Sequence, residues 1–306
     1  MGAYAAAAGL DQNAEAALYQ GLADMRVAGL EQPFTGRLHP RDDGWLLDQI
    51  RPDWTLVLTT LPGTMDRLKD DLHFGLASAD PDGRSRALDF AESARRTIEH
   101  LHKYLGRPVV KAVELHCAPR LGGSGAKSSL EGFIASLSDL RSRDWSGASL
   151  LVEHCDAAVA THAPDKGFLK IEDEVLAVKR SAGKTPVAIG INWGRSALET
   201  RGEDGPREHA ARALQADLLG SIFFSGVTPK HPAYGEWRDT HAPFSTSCPE
   251  SLMTPAAAKS LLADAPDCPI VGIKLQTKPA TLTVSQRLAV IHDGLSALAY
   301  SEGSDP

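Results

Sequence analysis

The chain has no basic surface to offer a nucleic acid. Its formal net charge is −7, and its lysines and arginines are scattered among acids instead of lining a stripe. It also lacks an apolar run near the roughly 20 residues of a membrane-spanning helix; "VAIGINWG" and "VGIKLQ" are strand-sized. The opening "MGAYAAAAGL" has no basic segment of the kind that begins a secretory signal. Four cysteines, Cys117, Cys155, Cys248 and Cys268, show no CxxC spacing, so they read as free thiols and the expected location is the cytoplasm. No GxGxxG follows the first strand, which leaves a doubly wound nucleotide-binding sheet as the weaker architecture.

What the chain does have is a repeated rhythm. With 306 residues, 42% hydrophobic and 23% charged, it is long enough to bury a substantial core. Short apolar segments alternate with segments of helical period, the signature of parallel βα units. The expected strands are 2–7 "GAYAAA", 29–34 "GLEQPF", 54–61, 109–117 "VVKAVELHC", 148–155 "ASLLVEHC", 187–192 "VAIGIN", 221–226 "SIFFSG" and 270–276 "IVGIKLQ". Helices are expected from Asn13, from a capping box of Ser128 with Glu131, and over "IEDEVLAVKRSAGK" with a glycine stop. Eight strands each followed by a helix predict an α/β fold, a single (β/α)8 TIM barrel over 1–306. The long irregular segment 227–251 is the expected lid over the carboxyl ends of the strands.

Chemistry-bearing residues gather at those strand ends. "SLLVEHCDA" sets out Glu153, His154, Cys155 and Asp156 within four positions. Glu114 and His116 share a face of their strand, as do Glu153 and Cys155. Lys274 stands in "GIKLQ" and Arg120 beside "GGSG", where it could hold an anionic group or simply sit in a loop. The long segment packs His231, Tyr234, Trp237, Arg238, Asp239 and His241 closely. Aromatics interleaved with donors and acceptors suit stacking on a sugar face while binding its hydroxyls.

The order of units, with "GLEQPF", "VELHCAP" and "LLVEHCDA" ending the second, fourth and fifth expected strands, resembles the xylose-isomerase-like TIM barrels, which include sugar and sugar-phosphate isomerases and epimerases. "AYAAA", "WTLVLTTLPGTM" and "GINWGRSALE" are similar to an uncharacterised bacterial branch of that superfamily. The resemblance implies a divalent cation bound by Glu, Asp, His and Glu at the ends of strands five to eight. Glu153 matches the first ligand. Asn192 and Arg195 stand at the strand-six pattern, Ser225 at the histidine, and Lys274 or Gln276 at the last glutamate.

Those departures predict no cofactor and no four-ligand metal, while leaving room for a divalent metal on a rebuilt set of Glu153, His116 and Asp156. The expected catalytic residues are Glu153 as general base, Glu114 or His116 as its acid partner, and Lys274 as fixed positive charge. Lys274 paired with Glu153 as a purely structural ion pair is the equal alternative. Asn192, Arg195, His154, His231, Trp237, Asp239 and His241 are the expected substrate contacts. The expected function is a carbohydrate isomerase or epimerase working by proton abstraction beside a carbonyl or carbinol carbon, on a small carbohydrate or sugar acid. A sugar-acid lyase or hydrolase, or a non-catalytic sugar-binding barrel, is the alternative. No nucleic-acid or membrane partner is expected, and a homo-oligomer is left open.

Overall fold

The computed structural model describes residues 1–121 and 125–299. The middle of "RLGGSG" and the end of the helix expected over 283–302, "TVSQRLAVIHDGLSALAYSE", lie outside the described residues. Seven strands, β1 (Gly29–Pro33), β2 (Thr55–Thr59), β3 (Val110–Leu115), β4 (Ser149–His154), β5 (Val187–Asn192), β6 (Leu219–Phe224) and β7 (Ile270–Ile273), form one sheet in sequence order. Every adjacent pair is parallel. The helices are α1 (Ala3–Ala7), α2 (Gln12–Asp24), α3 (Asp43–Gln49), α4 (Leu61–Asp70), α5 (Pro81–Leu105), α6 (Leu130–Ser142), α7 (Ile171–Arg180), α8 (Trp193–Thr200), α9 (Gly205–Gln215), α10 (Pro255–Asp264) and α11 (Val284–Leu298). Strand followed by crossover helix, seven times over, curls the sheet into a (β/α) TIM barrel.

The expected first strand is a correction. Residues 3–7 form α1, consistent with the high helix propensity of alanine. A short apolar run does not by itself distinguish a buried strand from a buried helix. Only Met1 and Gly2 take the place of an eighth strand. Met1 donates to the Gly29 carbonyl at 3.0 Å, Glu31 donates to the Met1 carbonyl at 3.0 Å, and Gly2 donates to the Ile273 carbonyl at 2.8 Å. The ring therefore closes in its upper half. Below that bridge a cavity of about 770 Å³ opens between β1 and β7, lined by Met25, Val27, Val57, Ile270 and Val271 among others. It lies at the amino ends of the strands, opposite the face that carries chemistry in this architecture.

Helix ends also differ from expectation. Asp11 caps α2 by accepting from Ala14 N, so the helix begins before Asn13. Ser129 caps α6, while Ser128 donates to the Pro119 carbonyl instead. α7 ends at Arg180 with Ser181 at its C-cap, before the expected glycine, and has its acids first and bases last as the helix dipole favours.

Helices and strands bury a continuous apolar layer that includes Phe34, Trp54, Phe133, Trp145 and Phe224, each such side chain contributing about 1.5–3 kcal/mol. Inside the ring a second, small cluster of Val57, Ala112 and Leu151 fills the lower barrel. Above that plug the inward residues become charged. Among the described residues, no helix is long and apolar enough to cross a membrane.

Candidate active site at the barrel mouth

Four strands send an ionisable side chain into the mouth. Glu31 comes from β1, Glu114 from β3, Glu153 from β4 and Lys274 from the residue after β7, and all four are at most 1% exposed. Period-2 alternation along each strand sets these directions. Lys274 stays in the ladder, donating its backbone N–H to the Phe224 carbonyl at 2.8 Å.

Glu153 is the hub. His116 Nε2 lies 2.7 Å from its Oε2, and Arg195 Nη1 lies 2.5 Å from the same oxygen. Asn192 Nδ2 donates to Oε1 at 3.1 Å, and Lys274 Nζ is 3.7 Å from it. Asn192 also caps α8, accepting from Arg195 N at 3.3 Å. One amide thus both orients Glu153 and starts the helix that delivers Arg195.

Burial would raise the Glu153 carboxyl, but Arg195, Lys274 and His116 overcome it and hold the group well below the usual range, so it is ionised. Glu114 goes the other way. Burial first, then the negative charges of Glu153 and Glu31, push it well above the usual range against the pull of Lys274 and the Thr59 hydroxyl. Neither Glu114 oxygen completes a hydrogen bond of ordinary geometry. The His116 imidazole is pulled down by burial despite Glu153, which leaves it neutral.

Glu31, which no sequence argument singled out, contacts Lys274 Nζ directly. The contact is close but off-axis: neither Glu31 oxygen nor Nζ forms a well-directed hydrogen bond. Burial disfavours the ammonium, yet Glu31, Tyr4 and Glu153 keep it charged, and the Phe223 ring lies 5.5 Å away. An acid at the centre of a short buried strand, between Leu30 and Gln32, was the available signal for Glu31.

The loop between β6 and α10 supplies Asp239 and His241. Asp239 Oδ2 is 3.0 Å from Arg195 Nε, and Ser225 Oγ is 2.6 Å from His241 Nδ1. Burial lowers His241 to about 3, outweighing Asp239.

Five residues that the sequence offers for the site have other partners. His154 follows Glu153 on β4 and so faces the opposite side, among the helices: Nδ1 meets Glu174 at 2.7 Å and Nε2 meets Glu199 at 3.0 Å. Asp156 accepts from the backbone of Asp165 at 2.7 Å and of Lys166 at 2.9 Å, which makes it a loop brace and not a partner of Glu153 and His116 in a rebuilt metal set. Its burial raises it to about 6. His231 accepts from Ala233 N and Tyr234 N through Nδ1. Trp237 meets the end of α8, with the Arg201 guanidinium 4.7 Å from its ring centroid. Arg120 spends its guanidinium on the carbonyls of Asp165 and Lys166.

The profile of the family described as "Domain of unknown function (DUF4862)" matches residues 1–290. The chain belongs to the DUF4862 family. It is 37% identical over 276 residues to a Salmonella typhimurium (strain LT2) protein described as "Uncharacterized protein STM3670", covering 89% of this chain and 86% of that one.

Among solved structures it is similar to an L-ribulose 3-epimerase, with a TM-score of 0.63 and 13% identity over 97% of this chain and 92% of that one. It is also similar to an IOLI protein with a bound zinc atom, with a TM-score of 0.57 and 12% identity over 93% and 94% of the two chains. Endonuclease IV from Thermus thermophilus shares the fold at a TM-score of 0.54 and 15% identity, over 92% and 94%. The fold is that of the xylose-isomerase-like barrels, and its use in both an epimerase and a nuclease shows that fold does not decide activity.

The residues here do not fit the four-ligand cation of that superfamily. Asn192 turns an amide N–H, not an oxygen, towards Glu153, and Ser225 is engaged with His241. Lys274 places an ammonium against Glu31 and near Glu153. A lysine cation thus stands beside the carboxylates that would otherwise attract a metal ion.

Proposed function

We propose that the chain is a carbohydrate isomerase or epimerase that moves a proton beside a carbonyl or carbinol carbon, using a fixed lysine cation in place of a bound metal. The observation that carries this reading is the opposed setting of two carboxyls in one mouth: Glu153 is met by His116, Arg195, Asn192 and Lys274, while Glu114 lies against Glu31 and Glu153 with neither oxygen hydrogen-bonded, settings that push the two groups in opposite directions. Environments that drive two carboxyls apart are how one site obtains an acid and a base at the same pH. Glu153 is the base. Glu114 returns a proton, and Lys274, Asn192 and Arg195 stabilise the oxygen on which negative charge develops. When Arg195 turns to a substrate oxygen, Glu153 loses one of the cations that depress its basicity, so binding primes the base.

Residues 227–251 act as the lid in this reading. The whole chain works as one domain, in the cytoplasm and on a small carbohydrate or sugar acid. The test is solvent exchange: the protein is incubated in D2O with a panel of pentuloses, hexuloses and hexuronates, and proton NMR follows C–H signals beside the carbonyl. The wild-type chain should exchange at least one substrate, with the rate falling about 10²–10⁴-fold in Glu153→Gln. Undiminished exchange in that variant would remove Glu153 from the mechanism. Dialysed protein should hold no stoichiometric zinc, manganese or cobalt; a retained ion bound through Glu153 would overturn the lysine-for-metal part.

A further inference from the structure

The loop after β6 brings one carboxylate down onto two cations. Asp239 Oδ2 is 3.0 Å from Arg195 Nε and 3.1 Å from Lys166 Nζ, and Oδ1 is 3.3 Å from His241 Nδ1. Side-chain exposures are 5% for Asp239, 2% for Arg195 and 10% for Lys166. Lys166 is held in place by its surroundings. Asp156 accepts from its backbone N–H and Arg120 donates to its carbonyl, so the loop after β4 is pinned on both sides to present that side chain.

The mouth beside this contact is closed, with the side chains of Glu153, Arg195 and Lys274 at most 2% exposed. A substrate reaches Glu153 only if the loop lifts, and lifting withdraws Asp239 from both cations. Trp237 and His241, on either side of Asp239, hold φ of 49° and 54°. Non-glycine residues in the left-handed region are strained, a cost that the contacts of the closed loop offset.

We propose that Arg195 and Lys166 form a subsite for a carboxylate of the substrate, which Asp239 occupies while the loop is closed. The inference rests on the proton-transfer reading and narrows it to sugar acids. With Asp239 withdrawn, Arg195 keeps Glu153 and Lys166 keeps Asp165, but Arg195 Nε and one side of Lys166 Nζ lose their shared oxygen, a position that a carboxylate refills better than the hydroxyl of a neutral sugar. A planar carboxylate suits the position better than a phosphate. Both oxygens of the present occupant are engaged, and a dianion would face Asp165, whose Oδ2 is 2.6 Å from Lys166 Nζ. Arg195 spans Glu153 and Asp239 with adjacent nitrogens, which sets the base against a carbon near the acid end of the substrate.

The test is calorimetry on the full chain with D-glucuronate, D-galacturonate and D-gluconate, against D-glucose, D-galactose and D-glucose 6-phosphate. At least one acid should bind about tenfold or more tightly than its neutral parent, which is about 1.4 kcal/mol. Asp239→Asn, which both eases loop opening and weakens the competing occupant, should tighten acids several-fold more than neutral sugars. Lys166→Met should erase the preference; if that variant does not fold, Asp239→Asn decides alone. Equal binding of neutral sugars, preference for the phosphate, or failure of all three acids to bind Asp239→Asn overturns the subsite. Glu153→Gln separates the two claims. If acids bind and that variant still exchanges solvent deuterium, the base assignment fails and the subsite stands. If the variant is inert and acids show no preference, the subsite alone fails.

Discussion

Glu153 and His154 are neighbours on β4, yet they belong to two buried polar networks that differ in kind. Behind the barrel wall, His154 gives both ring nitrogens to carboxylates, Glu174 also accepts from Cys117 Sγ at 2.8 Å, and Glu199 also accepts from Ala157 N at 2.8 Å. Apart from His209 Nδ1, that network is satisfied. In the mouth, all four oxygens of Glu31 and Glu114, together with Lys274 Nζ, lack a well-directed hydrogen bond. Buried polar groups left unsatisfied are costly and in native proteins need a reason. The complete network reads as structural, and the incomplete one as awaiting a ligand.

The largest effect should come from breaking the mouth. Lys274→Met leaves Glu31 and Glu153 buried without their ammonium, and loss of one partner of a buried pair costs about 3–5 kcal/mol. Urea denaturation at neutral pH should show it. A loss below about 1 kcal/mol would mean the carboxylates are not both charged.

The outer network should show itself through pH. Burial opposes the His154 charge, but Glu174 and Glu199 raise it from 6.5 to about 10. Because the folded pKa is raised, the stabilisation is fully present below pH 6.5 and disappears as pH climbs through about 10. Glu199, lowered from 4.5 to about 2 against its burial, contributes above pH 4.5 and is lost on acidification through about 2. The Tm difference between wild type and His154→Gln should therefore be greatest between the two windows and shrink towards alkaline pH. A difference that stays flat to pH 10 would refute the assignment.

A smaller effect should follow at the closure of the ring. A Cβ on Gly2 would come 2.7 Å from Glu31 Oε2 and 2.9 Å from Lys274 Cγ. Gly2→Ala should then cost about 1–3 kcal/mol by overpacking, and its cost should fall in the Lys274→Met background. Additive costs would place Gly2 outside the mouth network.

Much of the frame was legible because β2 to β7 carry apolar residues at strand period between capped helices. The run "AYAAA" was not, since alanine fits a buried helix as well as a buried strand. Glu153, Glu114, His116, Asn192, Arg195 and Lys274 were placed at the mouth because strand ends point there. Glu153 and His154 both read as site residues in the sequence, and β4 sends them to opposite sides, because adjacent strand residues alternate and a lone sequence does not say which faces in. Glu31 hid inside a strand, and Lys166 reads as an ordinary loop lysine until Asp156, Arg120 and Asp239 converge on it.

The central claim is that the mouth holds one protonated and one ionised carboxyl at neutral pH, and it is tested by carbon NMR of protein labelled at the glutamate carboxyl carbon and titrated across pH. One resonance should keep the shift of a protonated acid at pH 7 and vanish in Glu114→Gln, while Glu153→Gln removes a resonance that stays ionised to the acid limit of folding. If every glutamate has titrated to the ionised form by pH 7, or if the protonated signal survives Glu114→Gln, the mouth does not hold the acid and base assigned to it.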